Sequence, residues 1–544
     1  MSQFHFSRRK LSGGARVFER ALEILPGLTS WSILIGLILL SVFQPVCAAI
    51  IIIVFEFYWL LRLFYLTLFL MLSYTRLSLE DKTNWLERVR KVDDFMRNGA
   101  LSGSGAASGW KSKISESIFQ KELKRLRAAS SPPPLSADIY HLVIVPILKE
   151  TAEILEPSIQ SFVQGSFSPK QIFVVLAVEE RAEKAVHEAA FALQAKYGNR
   201  FFDFLIVKHP DGLEGEARVK GANASFAAKA AHQVLVSRSI APEQVIVSCF
   251  DADTVVSFDY FACLTYCFMV FPDRQRASFQ PIPVYHNNIW DVPGFARILE
   301  TGASFFQLTE ASHPDRLVTF SSHSMSFKAL VEVGYWPVDM VSDDSAIFWK
   351  AFFHYDGDYR TVPMFTTLSM DVVNAGGWWQ TCVSVYKQKR RWAWGVENFP
   401  IVTRGFLQSK KIPIFERLRH GCKLFEGHIA WATWPFILGV IGWLPPFFTS
   451  REFSDSVIYY TAPRISGIIF NLASVSLLTT IVLSLMLLPK AKIKYSFFRR
   501  AVHALEWLAI PLVAIFFSAL PALEAQTRLM LAKYMEFWVS DKKR

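Results

Sequence analysis

The chain has 544 residues, 52% of them hydrophobic and only 19% charged, with 47 Phe and 16 Trp. This composition excludes a disordered, collagenous or small disulfide-stapled protein and argues against a purely soluble one. Lys and Arg outnumber Asp and Glu by 58 to 47, a net charge of +11, so basic-flanked membrane segments, a site for anionic ligands, or both are expected.

In chain order, residues 1–30 form a basic N-terminus carrying Arg8, Arg9, Lys10, Arg16 and Arg20. Ser7-Arg8-Arg9-Lys10 is only faintly like a twin-arginine export signal, because the next apolar run starts too late and is too long for a cleaved segment. From Ile33 to Leu72 the chain is almost unbroken apolar, with Gln44, Glu56 and Arg62 as exceptions. A bilayer crossing takes roughly 20 helical residues, so residues 31–74 are expected to cross twice, turning near Gln44-Pro45. Residues 75–137 are expected to be helical with linkers, a Gly/Ser-rich one at 98–109 and a second break at Ser130–Pro134. A catalytic unit is expected over 138–400 and an interfacial segment over 401–423. About three further crossings are expected within 424–523, at Leu424–Phe448, Ile465–Leu488 and Ala504–Leu523. The last is interrupted by Glu506 and Pro511, and an amphipathic tail occupies 524–544.

The basic N-terminus puts the start of the chain in the cytoplasm, and two crossings return residues 76–413 to that side. Arg451–Arg464 has no positive bias and fits the outer face. The loop with Lys490, Lys492, Lys494, Arg499 and Arg500 fits the inner one. The basic end Lys542-Lys543-Arg544 also points inside, so either Pro521–Val539 folds back or 504–523 lies at the interface. Cys47, Cys249, Cys263, Cys267, Cys382 and Cys422 form no C-x-x-C pair, and the His residues show no zinc spacing.

Within 138–400 four apolar runs, His141–Leu148, Gln171–Val178, Phe202–Lys208 and Val245–Phe250, alternate with stretches of helical period. This pattern predicts βαβ units and a parallel sheet buried on both faces. Ligands then bind at the carboxyl ends of the strands. Lys149 and Glu150 come after the first run, and Glu179 and Glu180 after the second. His209 and Asp211 come after the third, with Lys220 and Asn223 beyond, and Asp251-Ala252-Asp253 after the fourth. Two carboxylates at a strand end can hold a hard divalent cation whose shell substrate phosphates complete, although they can equally cap a turn. Ser342-Asp343-Asp344 opens a helical stretch, where the acids either favour the helix N-terminus or supply a general base. Gln388-Lys389-Arg390-Arg391-Trp392 lies among Trp378, Trp379 and Trp394. It reads either as an interfacial amphipathic helix or as an arginine grip on a diphosphate with a tryptophan face for a sugar ring.

Val145-Pro146-Ile147-Leu148-Lys149-Glu150, Asp251-Ala252-Asp253, Ser342-Asp343-Asp344 and Gln388-Lys389-Arg390-Arg391-Trp392, in this order between membrane segments, resemble the membrane-integrated family 2 glycosyltransferases of the cellulose, chitin and hyaluronan synthase type. The resemblance covers roughly Asp138 to Pro400. It implies an α/β GT-A fold (Rossmann-like, mainly parallel sheet) in the cytoplasm, joined to an α-helical transmembrane bundle. It further implies donor binding by Pro146, Glu150, Glu179 (or Glu180), Lys220, Asn223, Asp251 and Arg391, and Mg²⁺ or Mn²⁺ held by Asp253. Asp344 would be the general base, and Gln388, Trp392 and Asp343 would meet the acceptor. The family's Thr-Glu-Asp is Ser-Asp-Asp here, and its second-strand aspartate is a Glu. The implied partners are a UDP- or GDP-sugar, a glycan or lipid-linked acceptor, membrane lipid and unknown membrane subunits. No nucleic acid is needed to explain the charge. The expected activity is inverting sugar transfer in polysaccharide synthesis at the inner or plasma membrane; non-processive transfer to a lipid or short glycan and an inactive membrane scaffold are the alternatives.

Overall fold

A computed structural model describes residues 4–99, 109–128, 132–448, 451–489, 503, 505–536 and 538. Most of the expected linker at 98–109, the basic loop 490–500 and the end of the chain at 542–544 lie outside the described residues.

The catalytic unit is built on one sheet. Its strands are β1 (Tyr140–Ile147), β2 (Ile172–Glu179), β3 (Asp203–His209), β4 (Val245–Cys249), β5 (Val255–Val256), β6 (Ala277–Val284), β7 (Ser324–Ser326) and β8 (Arg360–Ser369). Their order is β3-β2-β1-β4-β7-β6-β8-β5. The first four are the four apolar runs of the sequence, and they pair in parallel. Every residue of β2 except Glu179 is buried, because helices cover both faces. On one face the helix Lys220–Ser237 lays a row of small residues, Ala224, Ala227, Ala228 and Ala231, against β1 and β2. Small side chains there let the helix axis approach the sheet closely.

The other half of the sheet is mixed. β7 runs antiparallel to β4 and β6, β8 is parallel to β6, and β5 is antiparallel to β8. This half brings Thr319–Ser322 and Asp371 to the edge already occupied by Asp251 and Asp253.

Among the described residues, five helices are long and apolar enough to cross a membrane: Gly13–Phe43, Pro45–Glu80, Ile414–Phe447, Val457–Leu487 and Glu506–Met530. The first begins well before the apolar run at Ile33. Polar residues of its first half are buried where distant groups pair with them: Glu19 accepts from Arg404 Nε at 2.7 Å, and Ser30 donates to Gln526 at 2.7 Å. The charged residues within the apolar runs are paired between helices. Arg62 pairs with Glu426, and Glu56 accepts from Ser466 Oγ at 2.6 Å. Such pairing is what groups removed from water require.

The Glu506–Met530 stretch bears on the choice left open at the C-terminus. Glu506 pairs with Arg297 at 2.5 Å, and Glu524 with Arg390 at 2.6 Å. Phe517 stacks on Phe295 with ring centroids 4.7 Å apart. Its start, middle and end each touch the catalytic unit, and the same stretch also packs against the helices Gly13–Phe43 and Ile414–Phe447.

Candidate active site

Lys220 is the first residue of its helix, and its buried ammonium donates to Asp251 Oδ1 at 2.7 Å and to Asp344 Oδ1 at 3.3 Å. Burial works against this charge, but Asp251 and Asp344 outweigh it and hold the ammonium well above its usual range. One lysine thus ties the end of β4 to the helix Asp343–His354. Gly221 makes the tie possible: a Cβ there would stand 2.4 Å from the Pro337 carbonyl oxygen and 2.9 Å from Asp343 Cβ.

The remaining groups gather around this pair. Ser321 Oγ donates to Asp251 Oδ2 at 2.6 Å, and Thr319 Oγ1 to the Asp344 carbonyl at 2.6 Å. Asp253 is fully buried, and its Oδ2 accepts from the Asp371 amide at 2.7 Å. The helix Trp378–Ala393 supplies Gln388, Arg391 and Trp392 from the opposite wall. Together with Tyr285, Phe320 and Ser342 these residues line an open cleft of about 870 Å³. Gln388 is buried, and its Oε1 has no hydrogen-bond partner among the described residues. Arg391 donates to the Trp538 carbonyl at 2.9 Å, which brings Trp538 to the cleft wall.

Trp392 is held from beneath. Lys389 Nζ stands 3.6 Å from its ring centroid and pairs at 2.9 Å with Glu300. Phe320 packs edge-on against the same ring at 5.7 Å, and Tyr285 leans on it at 6.3 Å. Lys389 and Glu300 are only 4% and 1% exposed, so this is a buried ion pair supporting an aromatic wall.

The fit of a divalent cation rests on charge. Five carboxylates, Asp251, Asp253, Asp343, Asp344 and Asp371, line the cleft against two cations, Lys220 and Arg391. Burial, reinforced by Asp344, pushes the Asp343 carboxyl well above the carboxylate range and favours its neutral form. Carboxylates outnumber cations in the cleft, and this excess of negative charge suits a divalent ion. Among the described residues no three His, Cys, Asp or Glu side chains converge as a complete cage. A shell finished by substrate phosphates and water is what Mg²⁺ and Mn²⁺ accept.

Of the residues singled out in the sequence, Lys220, Asp251, Asp253, Asp343, Asp344, Gln388, Arg391 and Trp392 line this one cleft. Glu179 and Glu180 lie beside it, with His209, Asp211 and Arg218, around a smaller hollow at the ends of β2 and β3. Glu179 pairs there with Arg181 at 2.5 Å. Glu150 folds back to accept from the Leu148 and Lys149 amides at 2.9 and 3.0 Å, closing the turn after Pro146. Asn223 is buried one turn into its helix and donates to the Ala177 carbonyl at 2.7 Å, binding helix to sheet. Pro146, Glu150 and Asn223 are not among the residues lining the cleft. Asp371, Tyr285 and Glu300 carry no such signal in the sequence. Asp371 sits just past the end of β8, where the strand-end rule finds it once that strand is known.

A mixed GT-A-type sheet, an Asp-x-Asp at a strand end and a facing Gln-x-x-Arg-Trp helix define the class as glycosyltransferase. A family model, "Glycosyl transferase family group 2", matches residues 246–521, half of the chain, and the protein belongs to that family. A poly-beta-1,6-N-acetyl-D-glucosamine synthase of Staphylococcus epidermidis is 32% identical over 114 residues. That match covers 20% of this chain and 23% of the relative, so the shared part spans under a quarter of the relative's length. Among solved structures, the mannosyltransferase PcManGT from Pyrobaculum calidifontis, in complex with GDP-Man and Mn²⁺, aligns over 78% of this chain and 98% of its own, with 14% identity and a TM-score of 0.39. S. aureus TarS 1-349 in complex with UDP-GlcNAc aligns over 62% and 90%, with 11% identity and a TM-score of 0.35.

Proposed function

We propose that the protein transfers a sugar from a nucleotide-sugar donor to the hydroxyl of a glycan acceptor, with inversion, at the cytoplasmic face of a membrane. The observation that carries this is the Lys220 bridge, which puts a strand-end carboxylate and a second, separately held carboxylate on one ammonium in a cleft walled by Arg391 and Trp392.

Each residue has a task in that reaction. Lys220 and Arg391 face the donor diphosphate and stabilise the charge that develops as it leaves. A divalent ion bound by Asp253, with Asp251 beside it, supplies further neutralisation of that charge when present. Asp344 accepts the proton of the acceptor hydroxyl as its oxygen attacks the anomeric carbon. Trp392 offers a flat apolar face to the acceptor sugar, and Gln388 a free carbonyl oxygen to its hydroxyls. The hollow around Glu179, Glu180 and Asp211 takes the nucleoside end of the donor, with Pro146 and Glu150 forming the turn above it and Asn223 fixing the helix that carries Lys220.

Polysaccharide synthesis is favoured by the Staphylococcus epidermidis relative, and UDP-N-acetylglucosamine is therefore the first donor to try. Orientation is supported by two facts together. The N-terminal segment contacts the catalytic unit, with Ser7 Oγ 2.5 Å from Asp339, and that segment is basic, the mark of the cytoplasmic side. The test is a screen of UDP- and GDP-sugars with the purified protein in detergent and Mg²⁺ or Mn²⁺. Release of nucleoside diphosphate from one donor supports the assignment. Release from none, under conditions where the protein remains folded, contradicts it.

A further inference from the structure

We infer that Glu397 is a positioning residue that clamps the loop leading into the helix of Asp344 to the turn after Trp392; the inference rests on the glycosyltransferase reading above. Glu397 is buried at the end of the tight turn Trp394–Glu397, five residues past Trp392. Its Oε1 accepts three hydrogen bonds from a single loop: from the Val341 amide at 3.0 Å, the Ser342 amide at 2.9 Å and Ser342 Oγ at 2.8 Å. The other oxygen, Oε2, lies 3.9 Å from Arg8 of the N-terminal segment. Next to it, Asn398 donates to Ser342 Oγ at 3.1 Å and to Ser345 Oγ at 3.0 Å.

Ser342 is the residue just before the helix Asp343–His354, and its hydroxyl makes no bond to that helix's own amides. The carboxylate of Glu397 instead meets the amides that lead into the helix, where a negative charge is stabilised. Asp344 comes two residues later. Its position relative to Arg391 and Trp392 therefore depends on one carboxylate that bridges 55 residues of chain. A burial this deep for a carboxylate with three donors on one oxygen is costly unless the geometry is used. The use we assign is register: Glu397 keeps the base and the Gln388–Trp392 wall as one unit. Displacement of a catalytic group by about 1 Å costs on the order of 100-fold in rate.

The test uses the full chain in detergent. In Glu397→Ala, amide exchange at Val341 and Ser342 should rise at least about tenfold and nucleoside diphosphate release should fall about 100-fold, while the donor KM stays within about twofold. Glu397→Gln keeps an acceptor oxygen and should restore most of both. Should Glu397→Ala fail to fold, Ser342→Ala, which removes one of the three bonds, should shift exchange and turnover in the same direction but less. Unchanged exchange overturns the clamp. Faster exchange with wild-type turnover overturns its role in positioning, as does a donor KM that rises in step with the loss of turnover. If the unsubstituted protein releases no nucleoside diphosphate from any donor, the glycosyltransferase reading fails instead, and the exchange measurement still decides the clamp.

Discussion

Lys220 Nζ lies 3.3 Å from Asp344 Oδ1, although 124 residues separate the two in the chain. The same ammonium holds Asp251 at 2.7 Å, so the groups proposed to face the leaving diphosphate and the attacking hydroxyl share one buried cation. Removing the charge leaves two carboxylates facing each other and the diphosphate without its nearest lysine. Lys220→Gln is expected to lower nucleoside diphosphate release by about 100-fold or more, the range seen when one preorganised donor is deleted from a site of developing charge. Turnover within a few-fold of the unsubstituted protein would show that the lysine serves only to hold the fold.

The ion pair beneath Trp392 gives a stability prediction that separates pairing from function. Lys389→Met strands the Glu300 carboxylate in the interior and should cost about 3–5 kcal/mol. Combining it with Glu300→Leu removes the stranded charge and should recover much of that loss. Turnover in the double variant should remain low, because Trp392 no longer has the Lys389 ammonium against its ring. Thermal unfolding of the two variants, read beside product formation, distinguishes a structural pair from one that shapes the acceptor wall.

Asp343 supplies the pH dependence. Burial first, and then Asp344, raise its folded-state value above that of the unfolded chain. The folded protein therefore holds a proton there that the unfolded chain has released. Its contribution is fully present below the unfolded value, near 3.9, and is lost as pH rises through the raised one. Asp343→Asn mimics the neutral carboxyl at every pH. The drop in unfolding temperature between pH 5.5 and pH 8.5 should be smaller in this variant than in the unsubstituted protein. An equal or larger drop would mean that Asp343 is ionised in the folded state.

The four parallel strands, the membrane runs and eight of the residues lining the cleft were legible in the sequence. Burial on both faces writes continuous apolar runs, and the strand-end rule points to the residues just past their carboxyl ends. The second half of the sheet was not legible. β6 reads Ala-Ser-Phe-Gln-Pro-Ile-Pro-Val and β8 contains Pro363, so neither shows a clean strand pattern, while β5 and β7 span only two and three residues. Without β8, Asp371 had no strand to end. The strand-end rule also selects an edge without giving side-chain direction, and Glu150 and Asn223 spend their polar atoms on nearby backbone. Glu19, Glu300 and Glu397 carry no local signal in the sequence, because their partners Arg404, Lys389 and Ser342 lie 385, 89 and 55 residues away. No local pattern encodes such distances.

The most direct test of the central claim compares the unsubstituted protein with Asp344→Asn, measuring donor binding and nucleoside diphosphate release on the same preparation. Asn keeps the shape of the side chain and removes its ability to accept a proton. The variant should bind the nucleotide-sugar with an affinity within a few-fold of the original while product formation falls by about 10²–10⁴-fold, the contribution of a positioned base. Product formation at the original rate would contradict the assignment of Asp344 as the base and, with it, the mechanism built on this cleft.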